Sequence, residues 1–219
     1  MPSLPQRMFC EWLGTAFLLA AVVGSGIMAQ KLAGGNVALA LLCNTLPTGA
    51  ILVVLILVFG PVSGAHFNPV VSIAFALRRK VPWPTTAIFI VAQIFGAIGG
   101  VWMAHLMFDL PLLQLSVTTR TGPGQWLAEA VATFGLVLTI LGCMARTPTS
   151  VPYAVGLYIT SAYWFTASTS FANPAVTIAR SLSDTFAGIA PSGVAAFIVA
   201  QLAGMLTAVG LSQWLWATE

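Results

Sequence analysis

Long apolar runs separated by short polar breaks dominate the chain. Six runs have the length of a membrane crossing: about 8–30, 37–59, 84–107, 126–144, 151–169 and 192–216. Each is near the ~20 residues that a bilayer core requires. Two further apolar segments, within 60–80 and 170–188, are too short to cross. They follow Asn68-Pro69-Val70 and Asn173-Pro174-Ala175. Asn caps a helix, and Pro fits the first helical turn, where its missing N–H is no loss. The pattern therefore predicts two half-length helices that start at membrane depth.

The landmarks repeat. Glu11, Asn68 and the run 89–93 (Phe-Ile-Val-Ala-Gln) recur as Glu129, Asn173 and 197–201, at offsets of 118, 105 and 108 residues. Each copy holds three crossings. An odd number turns the second copy upside down, which makes an inverted repeat. The expected organisation is one transmembrane channel domain over residues 1–219, with repeats over about 1–108 and 125–219.

Composition fits a polytopic membrane protein. The chain is 58% hydrophobic and 6% charged, against ~25% charged in soluble domains. The net charge of +3 points to no nucleic-acid partner, because the basic residues flank the spans. With the N-terminus in the cytoplasm, Arg7, Arg78, Arg79, Lys80 and Arg146 lie inside, and Lys31, Arg120 and Arg180 outside. The positive-inside rule then puts both termini in the cytoplasm. The first run lacks a cleavage site and reads as a span rather than a signal peptide. Cys10, Cys43 and Cys143 lack the spacing of a disulfide framework or a metal site. No nucleophile, phosphate-loop or metal motif is present, so catalysis and active pumping have no visible machinery.

Two inverted half-helices would meet at the centre with their partly positive N-termini facing. That field repels cations, protons included, while the amides of Asn68 and Asn173 can donate to a passing oxygen. The expected device is a pore for neutral hydroxylic molecules.

The two boxes, the lead-in Ser63-Gly64-Ala65-His66, the Glu of spans one and four, and the Ala-Gln of spans three and six resemble the aquaporin and glycerol-facilitator (major intrinsic protein) family over essentially the whole chain. The resemblance implies an all-α membrane fold of six transmembrane helices plus two re-entrant half-helices. It also implies a homotetramer with one pore per subunit, in the cell membrane (a bacterial inner membrane), with no cofactor and no metal. The chain departs from the family at two places. Val70 stands in the first box, where it is expected to pack between the half-helices. Val176 stands where water- and glycerol-conducting members carry an Arg. Arg180 lies a helical turn further on and reads as no simple substitute.

Carried over from the family by spacing, the remaining constriction positions are Thr48, Ser161 and Phe171. Small side chains at 48, 161 and 176 imply a constriction that is wider, less polar and less positive. The implied solutes are glycerol-like polyols, urea, water and uncharged arsenic or antimony hydroxides such as arsenite. An aliphatic at position 176 resembles the bacterial homologues associated with arsenic resistance. An anion- or ion-permeable channel of the same fold is the alternative.

Several polar residues carry a second reading. Glu11 and Glu129 are intramembrane carboxylates, expected to hold the irregular loops rather than relay protons. His66 is expected to shape its loop, Gln93 and Gln201 to brace, and His105 to sit at the membrane interface. Gly96 and Gly204 read as close helix packing.

Overall fold

In the computed structural model, which describes residues 2–216, the chain forms eight α-helices and one 3-10 turn. They are α1 (Leu4–Leu32), α2 (Val37–Ser63), α3 (Pro69–Leu77), α4 (Trp83–Met107), α5 (Pro123–Arg146), α6 (Val151–Phe165), α7 (Pro174–Arg180) and α8 (Pro191–Leu215). Six cross the membrane, and α3 and α7 are the half-helices. Five of the six are long and apolar enough by themselves.

The boundaries follow local chemistry. Chain entry into α1 is earlier than expected because Ser3 and Gln6 form a capping box, with the Ser3 N–H donating to Gln6 Oε1 at 2.7 Å. α2 runs on through Pro61 to a left-handed Gly64 (φ 94°). α6 stops at Phe165 instead of reaching 169, a rise of only ~22 Å. Thr169 (φ 61°) and Ser170 (φ 53°) take left-handed backbone, through which a right-handed helix cannot continue. The turn Pro148–Ser150 precedes α6 and carries the chain over part of the missing distance.

The outside of the bundle is apolar and the inside holds the polar residues. Leu157 is 70% exposed, and Phe95 and Val199 are also exposed, whereas Glu11, Glu129, Gln93 and Gln201 are fully buried. In water such a surface would aggregate; in lipid it is the solvated face. The repeat shows in the packing. α1 lies on α4, and α5 lies on α8. A Cβ on Gly96 would overlap the Trp12 carbonyl, and one on Gly204 the Ala130 carbonyl. Both glycines let two backbones touch at equivalent places.

Two expectations change. Val70 packs with Val137, Leu141, Met205 and Val209, so it faces α5 and α8 instead of filling a seam between half-helices. His105 is fully buried rather than interfacial. Its Nδ1 meets the Leu112 carbonyl at 3.1 Å and its Nε2 meets Ser183 Oγ at 2.9 Å. A carbonyl only accepts, so Nδ1 carries the proton there.

Candidate functional site

Asn68 and Asn173 cap α3 and α7 with their side-chain oxygens. Asn68 Oδ1 accepts from the Val70 N–H at 3.1 Å; Asn173 Oδ1 accepts from Ala175 at 3.0 Å and Val176 at 3.3 Å. Their nitrogens cross between the repeats. Asn68 Nδ2 donates to the Ala172 carbonyl at 2.8 Å, and Asn173 Nδ2 donates to the Phe67 carbonyl at 2.9 Å. A primary amide has two N–H groups. One of each is therefore used as a staple, and one remains for an oxygen in the cavity that both residues line.

The loops before the caps are strained. Ala65 (φ 49°) and Phe67 (φ 48°) are left-handed, as are Thr169, Ser170 and Ala172 (φ 49°). Such residues cost ~1–3 kcal/mol each and persist only where the surroundings fix them. The two buried carboxylates do the fixing. Glu11 accepts from Ser63 Oγ (2.6 Å), His66 N (3.0 Å), Phe67 N (2.7 Å) and Gln93 Nε2 (2.8 Å). Glu129 accepts from Phe171 N (2.8 Å), Ala172 N (2.9 Å) and Gln201 Nε2 (2.6 Å). Each glutamine also reaches its half-helix, Gln93 to Ser72 Oγ and Gln201 to Thr177 Oγ1. Oε1 of both glutamines is buried without a partner among the described residues. His66 shares Ser72 through Nδ1 at 3.0 Å and stacks near Phe75, with ring centroids 4.8 Å apart.

A cavity runs beside these loops, lined along α6 from Val151 to Tyr163, a rise of ~18 Å. Each helix contributes residues four apart: 48, 52 and 56 from α2; 136, 140 and 144 from α5; 151, 155, 159 and 163 from α6. Residues at i and i+4 share one helix face. The wall is mostly aliphatic.

Thr48, Phe171 and Val176 all line it. Ser161 does not. It is exposed on the far side of α6, its hydroxyl bonded to the Tyr158 carbonyl at 2.9 Å. Two residues turn a helix by about 200°, so 161 faces away from the stripe that holds 159 and 163. Tyr163 takes the place expected of it, with its hydroxyl 3.4 Å from Thr48 Oγ1. A count back from the box crosses the loop and loses this register, whereas the four-residue stripe of apolar positions on α6 carries it. Ser170 also lines the cavity and carries a buried hydroxyl without a partner among the described residues.

Arg180 is the larger correction. It is 2% exposed and lines the cavity. Its guanidinium carbon lies 3.4 Å from the centroid of the Phe171 ring, and its Nε donates to the Ala187 carbonyl. The cavity wall is therefore not stripped of positive charge. Val176 and Arg180 are one turn apart on α7, so both face the cavity. The repeat-mates Val71 and Phe75 do the same on α3.

A roof holds this end in place. Ser116 N donates to the Ser181 carbonyl at 2.9 Å, and Ala190 N donates to the Thr118 carbonyl at 2.7 Å. Arg120 donates from Nε to the Gly188 carbonyl at 2.9 Å, with longer contacts from its terminal nitrogens to Ser168 and Phe186. Burial lowers Arg120 from its ordinary value, while Tyr163 and Glu129 oppose the shift; a guanidinium keeps its charge in such settings. Arg120 also stands 5.3 Å from the Phe171 ring. Among the described residues no cluster of His, Cys, Asp and Glu could hold a metal ion.

Comparisons with known proteins agree with this architecture. Residues 2–151 match the family model described as Major intrinsic protein. The chain is 56% identical over 213 residues to aquaglyceroporin AqpS of Rhizobium meliloti (strain 1021), across 97% of this chain and 91% of that one. It is 34% identical over 141 residues to the probable aquaporin NIP4-2 of Arabidopsis thaliana, a match to 64% of this chain and about half (49%) of the plant protein. The X-ray structure of the aquaglyceroporin from Plasmodium falciparum shares the fold, with a TM-score of 0.72 at 22% identity over 99% of this chain and 97% of that one.

Proposed function

This chain belongs to the major intrinsic protein family, and from that premise we propose that it passively conducts neutral solutes larger than water. Family membership makes it a multi-pass membrane channel for small solutes such as glycerol, and not an enzyme. The finer reading names glycerol-like polyols, urea and uncharged metalloid hydroxides such as arsenite, with water as a further permeant. The observation that carries it is Val176, a short aliphatic lining the cavity at the position directly after the second box. Thr48, Tyr163 and Phe171 complete the constriction at that level. Pore size and lining donors set selectivity, so small side chains at 48 and 176 favour bulkier solutes.

In this reading the asparagine amides hand oxygens across the centre. Glu11, Glu129, His66, Gln93 and Gln201 keep the loops in shape. The chain works as one channel domain of two inverted repeats, with both termini in the cytoplasm of a bacterial inner membrane, as a homotetramer. The alternative, an anion-permeable channel, draws support from the Arg180 guanidinium in the wall. Anion current across planar bilayers separates the two.

The test is stopped-flow on proteoliposomes with water, glycerol, urea and arsenite in one preparation. Glycerol and arsenite should pass at rates comparable with water. Val176→Arg should cut glycerol and arsenite permeability by on the order of tenfold. A water rate far above all others, or no change on Val176→Arg, defeats the reading.

A further inference from the structure

We propose that Arg180 is the charge barrier of the outer constriction, so that this channel sets its width at Val176 and its cation exclusion one helical turn further out. The inference deepens the functional reading above and rests on it for the neutral solute.

The geometry comes from the half-helix. Positions three and seven residues after each box asparagine face the cavity in both repeats: Val71 and Phe75 on α3, Val176 and Arg180 on α7. One turn of α-helix separates the members of each pair, about 6 Å along the axis. A guanidinium at position 180 thus enters the same lumen as a side chain at 176 without narrowing the pore at that level.

The side chain is held there. One face rests on Phe171, Nε is anchored on the Ala187 carbonyl, and the Arg180 carbonyl accepts from Ile189 N at 3.4 Å. The 116–120 roof fixes the segment that carries these acceptors. No carboxylate among the described residues pairs with the guanidinium directly, and Glu129 acts on it only through space. The oxygens of Glu129 are taken by Phe171, Ala172 and Gln201, and Asp184 Oδ1 accepts from Val117 N at 3.1 Å. Arg120 adds a second positive charge behind the same ring and spends its donors on carbonyls. Arg180 is therefore the guanidinium that a permeating species meets. A cation meets repulsion there, and a neutral solute meets a hydrogen-bond donor.

The experiment reads potassium and proton leak alongside glycerol permeability in proteoliposomes of the full chain. Arg180→Gln should raise cation leak by on the order of 10- to 100-fold, a far larger change than any in glycerol permeability. Arg180→Lys should keep the barrier at low pH and lose it as pH rises through the titration of the buried lysine, while the wild type stays tight. That pH response tests the idea even if the Gln variant does not fold, and a merely structural Arg180 would not produce it. Wild-type proteoliposomes impermeable to glycerol would defeat the solute reading alone. A Gln variant that passes glycerol yet stays cation-tight, or a Lys variant whose leak is flat with pH, would overturn the barrier assignment.

Discussion

The first re-entrant loop and the second share one frame, a left-handed approach, an asparagine cap and a glutamate brace, and part at the side chains that face the cavity. At the α3 end His66 stacks on Phe75, with Phe89 edge-on to His66 at 5.6 Å. At the α7 end Phe171 takes the place of His66, Phe197 stands edge-on to it at 5.3 Å, and Arg180 takes the place of Phe75. The same scaffold of ring on ring carries an uncharged lining at one mouth and a guanidinium at the other. A pseudo-symmetric fold does not make a symmetric pore: the frame repeats, and the wall residues it displays are free to differ.

The braces differ too, and this bears the largest expected effect. Glu11 holds four donors and Glu129 three. Replacing either carboxylate leaves buried N–H groups short of an acceptor, at about 1–3 kcal/mol each. Glu11→Gln should lower stability by about 3–5 kcal/mol and Glu129→Gln by about 2–4 kcal/mol, read as thermal unfolding in detergent together with loss of glycerol flux. A larger loss from Glu129→Gln would mean that donor number does not set the ranking.

Exchanging the mouths comes next. Phe75→Arg puts a guanidinium at the α3 end of the cavity. Combined with Arg180→Gln, it should restore cation exclusion to within about tenfold of wild type, measured as potassium leak. A double variant as leaky as Arg180→Gln alone would tie the barrier to the outer site and to something besides its charge.

The smallest effects separate two neighbours on α6. Tyr163→Phe removes a hydroxyl from the cavity wall and should shift glycerol permeability by about two- to threefold. Ser161→Ala, on the exposed face of α6, should leave both flux and stability unchanged, within about 0.5 kcal/mol.

These contrasts also mark how far the sequence could be read. The boxes, the duplicated Glu and Gln and the inverted order are short-range patterns, and they are legible because a cap and a half-helix need only a few adjacent residues. The bracing of each loop by its own repeat's Glu follows from the cost of a buried carboxylate. Spacing from the box does not place Ser161, because the count crosses a loop of left-handed residues, where helix register is lost. Arg180 reaches the cavity because one turn of helix is the spacing that keeps two side chains on one face. The roof of 116–120 was out of reach: Arg120 meets its acceptors 48 to 68 residues away, and no local pattern announces such pairings.

The crossed amides of Asn68 and Asn173 bear on how the channel comes to exist. Each asparagine finds its acceptor on the other repeat's loop, so during synthesis the first repeat emerges with Asn68 aimed at a carbonyl not yet made. Its five-residue approach to α3 must wait, braced by Glu11 but unstapled, until the second loop arrives in the bilayer. The lumen is then the last feature to close, and neither half of the chain is a smaller channel.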